Sequence, residues 1–173
     1  MPRPRLTILL LAAAIATGSS QVVTSPSEAA VYGVYQLQSH LSGKCLQPVS
    51  GARGAAIVQE SCNGSVAQQW TQETSSSNSN ADWYVNRSSG LCLDARGGPT
   101  DGTPVEQWPC DQISNENWGV SVGNTYSNYN LVSEVSSGPG RDSISTPGTA
   151  NGDAMVLYSN DGATSEAFSL IQV

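Results

Sequence analysis

Lysine is almost missing from this chain: Lys44 is its single copy in 173 residues, and charged residues of all kinds make up 12%. With 7 basic against 14 acidic residues the formal net charge is −7; without Arg3 and Arg5 near the start the balance is 5 against 14, or −9. Such a surface repels phosphate backbones and anionic lipid head groups, so nucleic acid is not an expected partner and no membrane insertion is expected. Outside residues 1–20 no run is rich in Ala, Leu, Glu, Lys and Arg, the residues that long helices favour. The chain therefore reads as strands and turns. Histidine occurs once, at His40, with no serine or cysteine motif around it, and is read as a surface residue. Without a Cys-x2-Cys spacing or histidine support, neither a metal nor another cofactor is expected.

The one long apolar run, Leu6 to Ala16, is shorter than the roughly 20 residues a spanning helix needs. Preceded by Arg3 and Arg5 and followed by Ala16-Thr17-Gly18, it has the layout of a secretory signal. Residues 1–20 are thus expected to be a signal peptide, and the mature chain to be secreted and extracellular. No lipobox cysteine accompanies the signal, which favours release over lipid anchoring. Residues 21–33 open with a polar, aperiodic stretch and are read as a mobile leader. The single folded domain is placed at 34–173, a length sufficient to bury roughly two-thirds of its unfolded surface. Four cysteines in an exported chain imply two disulfides, for which sequence alone allows three pairings.

One stretch organises the rest: Leu91 to Trp118. It opens with Cys92-Leu93-Asp94, turns at Asp101-Gly102, alternates through Val105-Glu106-Gln107-Trp108, and closes with Cys110 and Asn115-Glu116-Asn117-Trp118. The same pattern recurs on either side. Trp70 to Trp118 spans 118 − 70 = 48 residues and Trp118 to Phe168 spans 168 − 118 = 50. In that register Arg53-Gly54, Asp101-Gly102 and Asn151-Gly152 fall on one turn, where glycine supplies the left-handed position. Ile57, Val105 and Met155 share an apolar position, and Gln68, Glu116 and Glu166 each stand two residues before the closing aromatic. With one residue of slack, Cys45-Leu46-Gln47, Cys92-Leu93-Asp94 and Ser143-Ile144-Ser145 also align. A unit this small cannot bury its apolar face alone, so three must share a core. The expected core is Leu46, Ile57, Trp70, Leu93, Val105, Trp118, Ile144, Met155 and Phe168. Repeat boundaries fall at about 34–80, 81–128 and 129–173.

A Cys-Leu-Asp-type start, a glycine turn, an aliphatic-polar-x-aromatic run, a second cysteine and a closing Gln-x-Trp-type pair, best kept in the second repeat and worn in the other two, resemble the ricin B-type lectin family. The resemblance covers about Val34 to Val173. It implies an all-β fold, the β-trefoil, in which three four-stranded repeats with pseudo-threefold symmetry close a six-stranded barrel capped by hairpins. Equivalent cysteines in two repeats imply equivalent bonds, Cys45 with Cys62 and Cys92 with Cys110.

The resemblance further implies a sugar site in any repeat that keeps the family's polar and aromatic residues. The second repeat keeps them best. Asp94 matches the carboxylate that accepts hydrogen bonds from sugar hydroxyls, Trp108 the ring that stacks on the sugar's C–H face, and Asn115 the hydroxyl-binding amide. Glu106 and Glu116 stand where the family has glutamines. An ionised carboxylate cannot donate as an amide can, so Glu116 near Asp94 calls for a donor such as Arg96. The first repeat has Gln47, Glu60 and Ala67 at the three matching places and is read as structural. The third has Ser145, Tyr158 and Ser165, with Tyr158 and Asn160-Asp161 as a weak secondary site. The expectation is a secreted lectin or free-standing carbohydrate-binding module for galactose- or xylose-type glycans or polysaccharides, not an enzyme. The competing reading is a protein-binding trefoil, a hydrolase inhibitor or toxin-delivery subunit, with a vestigial sugar site.

Overall fold

The computed structural model describes residues 31–98, 100–122, 129–134 and 142–173. The signal segment, most of the leader and residues 123–128 of the polar loop between the second and third repeats lie outside the described residues. Short alternating runs between turns give four strands per repeat. The first repeat has β1 (Val31–Ser39), β2 (Cys45–Pro48), β3 (Ile57–Glu60) and β4 (Trp70–Thr74). The second has β5 (Asp82–Asn86), β6 (Cys92–Ala95), β7 (Val105–Trp108) and β8 (Trp118–Val122). The third has β9 (Tyr129–Ser133), β10 (Asp142–Ser145), β11 (Val156–Ser159) and β12 (Phe168–Gln172). A single 3-10 turn precedes each closing strand, at Val66–Gln68, Ser114–Glu116 and Thr164–Glu166.

Strand pairing reaches back into the range read as a leader, residues 21–33. Val31 and Gly33 already pair with Glu73 and Gln72 as the first rungs of β1, because backbone pairing needs no apolar periodicity in the side chains.

Antiparallel pairing closes a ring: β1 with β4, β4 with β5, β5 with β8, β8 with β9, β9 with β12, and β12 with β1. Closure leaves this barrel no free edge. The hairpins β2–β3, β6–β7 and β10–β11 cap one end. Each contributes to a shared core in which Leu46, Leu93 and Ile144, then Ile57, Val105 and Met155, then Trp70, Trp118 and Phe168 are all 0% exposed. Leu37, Tyr84 and Leu131 fill the barrel below them. The aromatic layer is tied to the hairpins. Trp70 Nε1 donates to the Leu46 carbonyl at 3.1 Å and Trp118 Nε1 to the Leu93 carbonyl at 2.9 Å. Phe168 has no such donor.

The three hairpins also dock on one another in a cycle. The Gly54 amide donates to the Gln107 carbonyl and the Gln107 amide to the Ala55 carbonyl. Gly102 and Thr103 make the matching exchange with Leu157, and Gly152 and Asp153 with Gln59. These turns need glycine: Gly54, Gly102 and Gly152 have φ of 76°, 83° and 86°.

Disulfides join Cys45 to Cys62 and Cys92 to Cys110, within the first and second repeats. Closing loops of 17 and 18 residues stabilises by about 3 kcal/mol each in the chain-entropy model.

Candidate functional site

The second repeat's hairpin places Asp94 on β6 directly opposite Glu106 on β7, and Cys92 opposite Trp108. Like charges facing each other across a pair are unfavourable. Arg96, at the end of the same hairpin, offsets the repulsion: its Nε lies 3.7 Å from Glu106 Oε2. Asp94, Glu106, Trp108 and Asn115 all line one cleft of about 370 Å³. Asp94 is buried at its floor with Oδ2 lacking any hydrogen-bond partner, while Trp108 and Asn115 stand half-buried on its walls. Burial, reinforced by Glu106 and Asp111, pushes the Asp94 carboxyl up to about 6. A buried acceptor without a protein donor, beside a half-exposed indole, is an arrangement that a hydroxyl-bearing ligand completes.

Trp108 is not a core residue, and it is completed by the neighbouring repeat. The Arg53 guanidinium carbon lies 4.1 Å from the centroid of the Trp108 ring, and Gly54 lines the cleft. A methyl group at Gly54 would sit 3.7 Å from the ring and 3.8 Å from Glu106 Oε2, narrowing the opening. Buried Gln107 holds this turn in place by donating Nε2 to the Ser50 and Ala52 carbonyls at 2.8 and 2.7 Å. Arg53, Gly54 and Gln107 were not singled out as site residues by sequence reasoning. The signal that points to them is the aligned glycine turn, which marks where one repeat touches another but not which side chains it delivers.

Glu116 does not line the cleft. Fully buried, it accepts from the Asp111 and Gln112 amides at 3.1 and 3.0 Å. Its counterparts act alike: Gln68 Oε1 accepts from the Asn63 amide at 2.8 Å and Glu166 Oε2 from the Gly162 amide at 3.1 Å. The motif position thus caps a left-handed turn. The equivalent turn residues Gly64, Gln112 and Gly162 have φ of 72°, 69° and 80°. What the glutamate loses is the donor half. In the first repeat Gln68 Nε2 donates to Gln47 Oε1 and to the Ser61 carbonyl, both at 3.0 Å. Burial pushes the Glu116 carboxyl up to about 7 against the pull of the two amides. The donor expected to separate Glu116 from Asp94, Arg96, is engaged with Glu106 instead.

In the third repeat, Ser145, Tyr158, Asp161 and Ser165 surround a second cleft of about 390 Å³. Asn160 is not among its lining residues; its Oδ1 accepts from the Asn130 amide group at 2.8 Å. In the first repeat, the amide oxygen of Gln47 is already occupied by Gln68.

A family model for the ricin-type beta-trefoil lectin domain-like fold matches residues 21–108 and 77–158. Among solved structures, the chain is similar to a designed 3-fold symmetric protein, ThreeFoil. The identity is 26% and the TM-score 0.73, over 82% of this chain and 99% of that one. It is equally similar to part of an exo-beta-1,3-galactanase from Clostridium thermocellum, with 26% identity and a TM-score of 0.74 over 82% of this chain and 30% of that one. A Macrolepiota procera ricin B-like lectin, solved in complex with lactose, shares the fold at 16% identity and a TM-score of 0.70, covering 85% and 100% of the two chains. No curated protein sequence matches.

Proposed function

The chain belongs to the ricin-type β-trefoil lectin family, and on that premise we propose that it is a secreted carbohydrate-binding protein that recognises galactose- or xylose-type glycans mainly through its second repeat. The observation that carries this reading is the cleft in which Asp94, Trp108 and Asn115 converge. Asp94 accepts from sugar hydroxyls, Asn115 both donates and accepts, and Trp108 supplies the flat apolar face on which a pyranose stacks. Binding needs no chemical step. A single shallow cleft holds one sugar unit weakly, with a Kd on the order of mM, so useful retention comes from polymers or from several sites engaged at once. A glycan array tests the reading. The expected result is retention of galactose- or xylose-terminated ligands by the intact chain; binding to a deglycosylated protein partner with no glycan retained would replace it with the protein-binding alternative.

Acidification is expected to move binding and stability in opposite directions. Asp94 and Glu116 hold their protons more tightly folded than unfolded, with values of about 6 and about 7 against ordinary values of 3.8 and 4.5. Asp82, Asp142 and Glu166 are raised as well. The stabilising contribution of each is complete below its ordinary value and disappears as pH rises through the folded value. Lowering the pH from about 8 to about 5 therefore raises the melting temperature. The same protonation removes the ionised acceptor of Asp94, so glycan affinity falls through pH 6. Melting curves and glycan titrations across this range provide the check; a parallel fall of both would mean that the buried carboxyls are ionised and paired in the folded chain.

A further inference from the structure

The hairpin layer closes one end of the barrel; the other end, where β1 and β5 begin and β4 finishes, holds a separate cleft of about 430 Å³. Its walls follow from strand register. Tyr35 lies opposite Trp70, Gly33 opposite Gln72, Gln72 opposite Tyr84, and Thr74 opposite Asp82. Directly opposed residues share a face, as do residues two apart on one strand. Since Trp70 and Tyr84 are core residues, Tyr35, Gln72 and Asp82 lie on the inner face at the barrel mouth. They line the cleft with Tyr32, which is 59% exposed at its rim, and with Ser79 and Asn80 from the β4–β5 loop.

Two features mark this mouth as more than a gap between strands. Gln72 Nε2 donates to Asp82 Oδ2 at 2.7 Å, which fixes the carboxylate while using one of its roughly four acceptor positions. Beneath it, the hydroxyl of Tyr84 is buried without a hydrogen-bond partner in a side chain that is 0% exposed. Burial, together with neighbouring Asp82 and Tyr35, holds that phenol protonated. Gly33 leaves the space that the Tyr35 hydroxyl uses: a methyl group there would meet that oxygen at 3.0 Å.

We propose that the open end of the barrel is a second saccharide-binding site, independent of the second-repeat cleft, in which Tyr32 and Tyr35 contact the apolar face of a sugar and Asp82, Gln72 and Asn80 engage its hydroxyls. The polar wall favours this ligand over a quaternary ammonium. A cation cage needs aromatic faces and a carboxylate, whereas amides and a serine that both donate and accept match a ring of hydroxyls. Barrel mouths are recurrent ligand sites. A site at this end and one in the hairpin layer give one chain two contacts with a polysaccharide, so retention on a polymer exceeds what either contact gives with a short sugar.

The test uses the isotopically labelled full chain carrying Trp108→Ala, so that failure of the second-repeat cleft does not affect the outcome. Lactose and xylohexaose, titrated separately into the tens of mM, are expected to shift the backbone amides of residues 32–35 and 79–84 with at least one of the two. Asp82→Asn, which keeps the side chain's shape, is expected to weaken that response about tenfold. Tyr32→Ala, at an exposed rim position, weakens it too without touching the barrel interior. In the parent protein both substitutions leave shifts around Trp108 unchanged. The proposal is overturned if neither sugar moves the barrel-end amides, if the response survives both substitutions, or if tetramethylammonium moves them and the sugars do not.

Discussion

Asp94→Ala and Trp108→Ala are each expected to weaken glycan binding by about 10- to 150-fold, the equivalent of the ~1.5–3 kcal/mol typical of a hydrogen bond to a charged group or of burying a large apolar side chain's face. Starting from a mM interaction, that loss removes retention on a glycan matrix altogether. The matched controls are Gln47→Ala and Ser145→Ala, which occupy the same place in the other two repeats and are expected to change binding by less than about twofold. Unfolding will not account for the effect of Asp94→Ala. The residue opposes Glu106 across the hairpin and leaves a carboxylate oxygen buried without a partner. Removing it relieves a like-charge contact and a desolvation cost, so the variant's melting temperature is expected to equal or exceed the parent's. A group that costs stability and gains it back only with a ligand present is typical of a binding site. Isothermal titration and affinity electrophoresis on the four variants provide the measurement. Equal binding by all four, or a loss confined to Ser145→Ala, would move the site out of the second repeat.

The second large effect is structural. Trp118→Ala is expected to lower unfolding free energy by about 3–5 kcal/mol, the range for emptying a large buried aromatic position. Trp118 is fully buried and fills the core where the second repeat meets its neighbours; its indole N–H also satisfies the Leu93 carbonyl at the base of the site hairpin. Trp118→Phe separates the two contributions. It keeps most of the ring volume and loses the hydrogen bond, as the third repeat already does with Phe168, so its cost is expected near 1–3 kcal/mol. Urea unfolding of both variants checks this. A cost for Trp118→Ala below about 1 kcal/mol would mean that the three repeats do not share the core cooperatively.

Much of the fold is legible because the trefoil writes it three times. The recurring aliphatic position, glycine turn and closing aromatic place Leu46, Leu93 and Ile144 in one layer and Trp70, Trp118 and Phe168 in another, and each of these residues is fully buried. Residue type alone decides such positions, because an apolar side chain at a fixed place in a short alternating strand has one face on which to be buried. The lining of the second-repeat cleft by Asp94, Glu106, Trp108 and Asn115 is readable for a related reason, since all four belong to one hairpin and the turn that follows it. Glu116 shares their spacing but acts behind the cleft, where the motif position caps a left-handed turn in every repeat. A lone repeat unit does not reveal that role, because the partner is a backbone amide and carries no residue identity.

Strand-and-turn class, threefold register and core were all written in the chain, since each depends on spacing within a repeat; the cysteine pairing follows only once the repeats are taken as equivalent, and the structure shows it. Tertiary structure alone decided what crosses between repeats. Arg53 over Trp108, Gly54 at the cleft, and Gln107 clamping the Ser50 and Ala52 carbonyls exist because each hairpin turn docks on the next hairpin around the barrel axis. The same closure brings Tyr35 of β1, Gln72 of β4 and Asp82 of β5 to the barrel mouth. Those meetings depend on the rotation between repeats and on ring closure, geometric quantities that the spacing of residues along one chain does not encode.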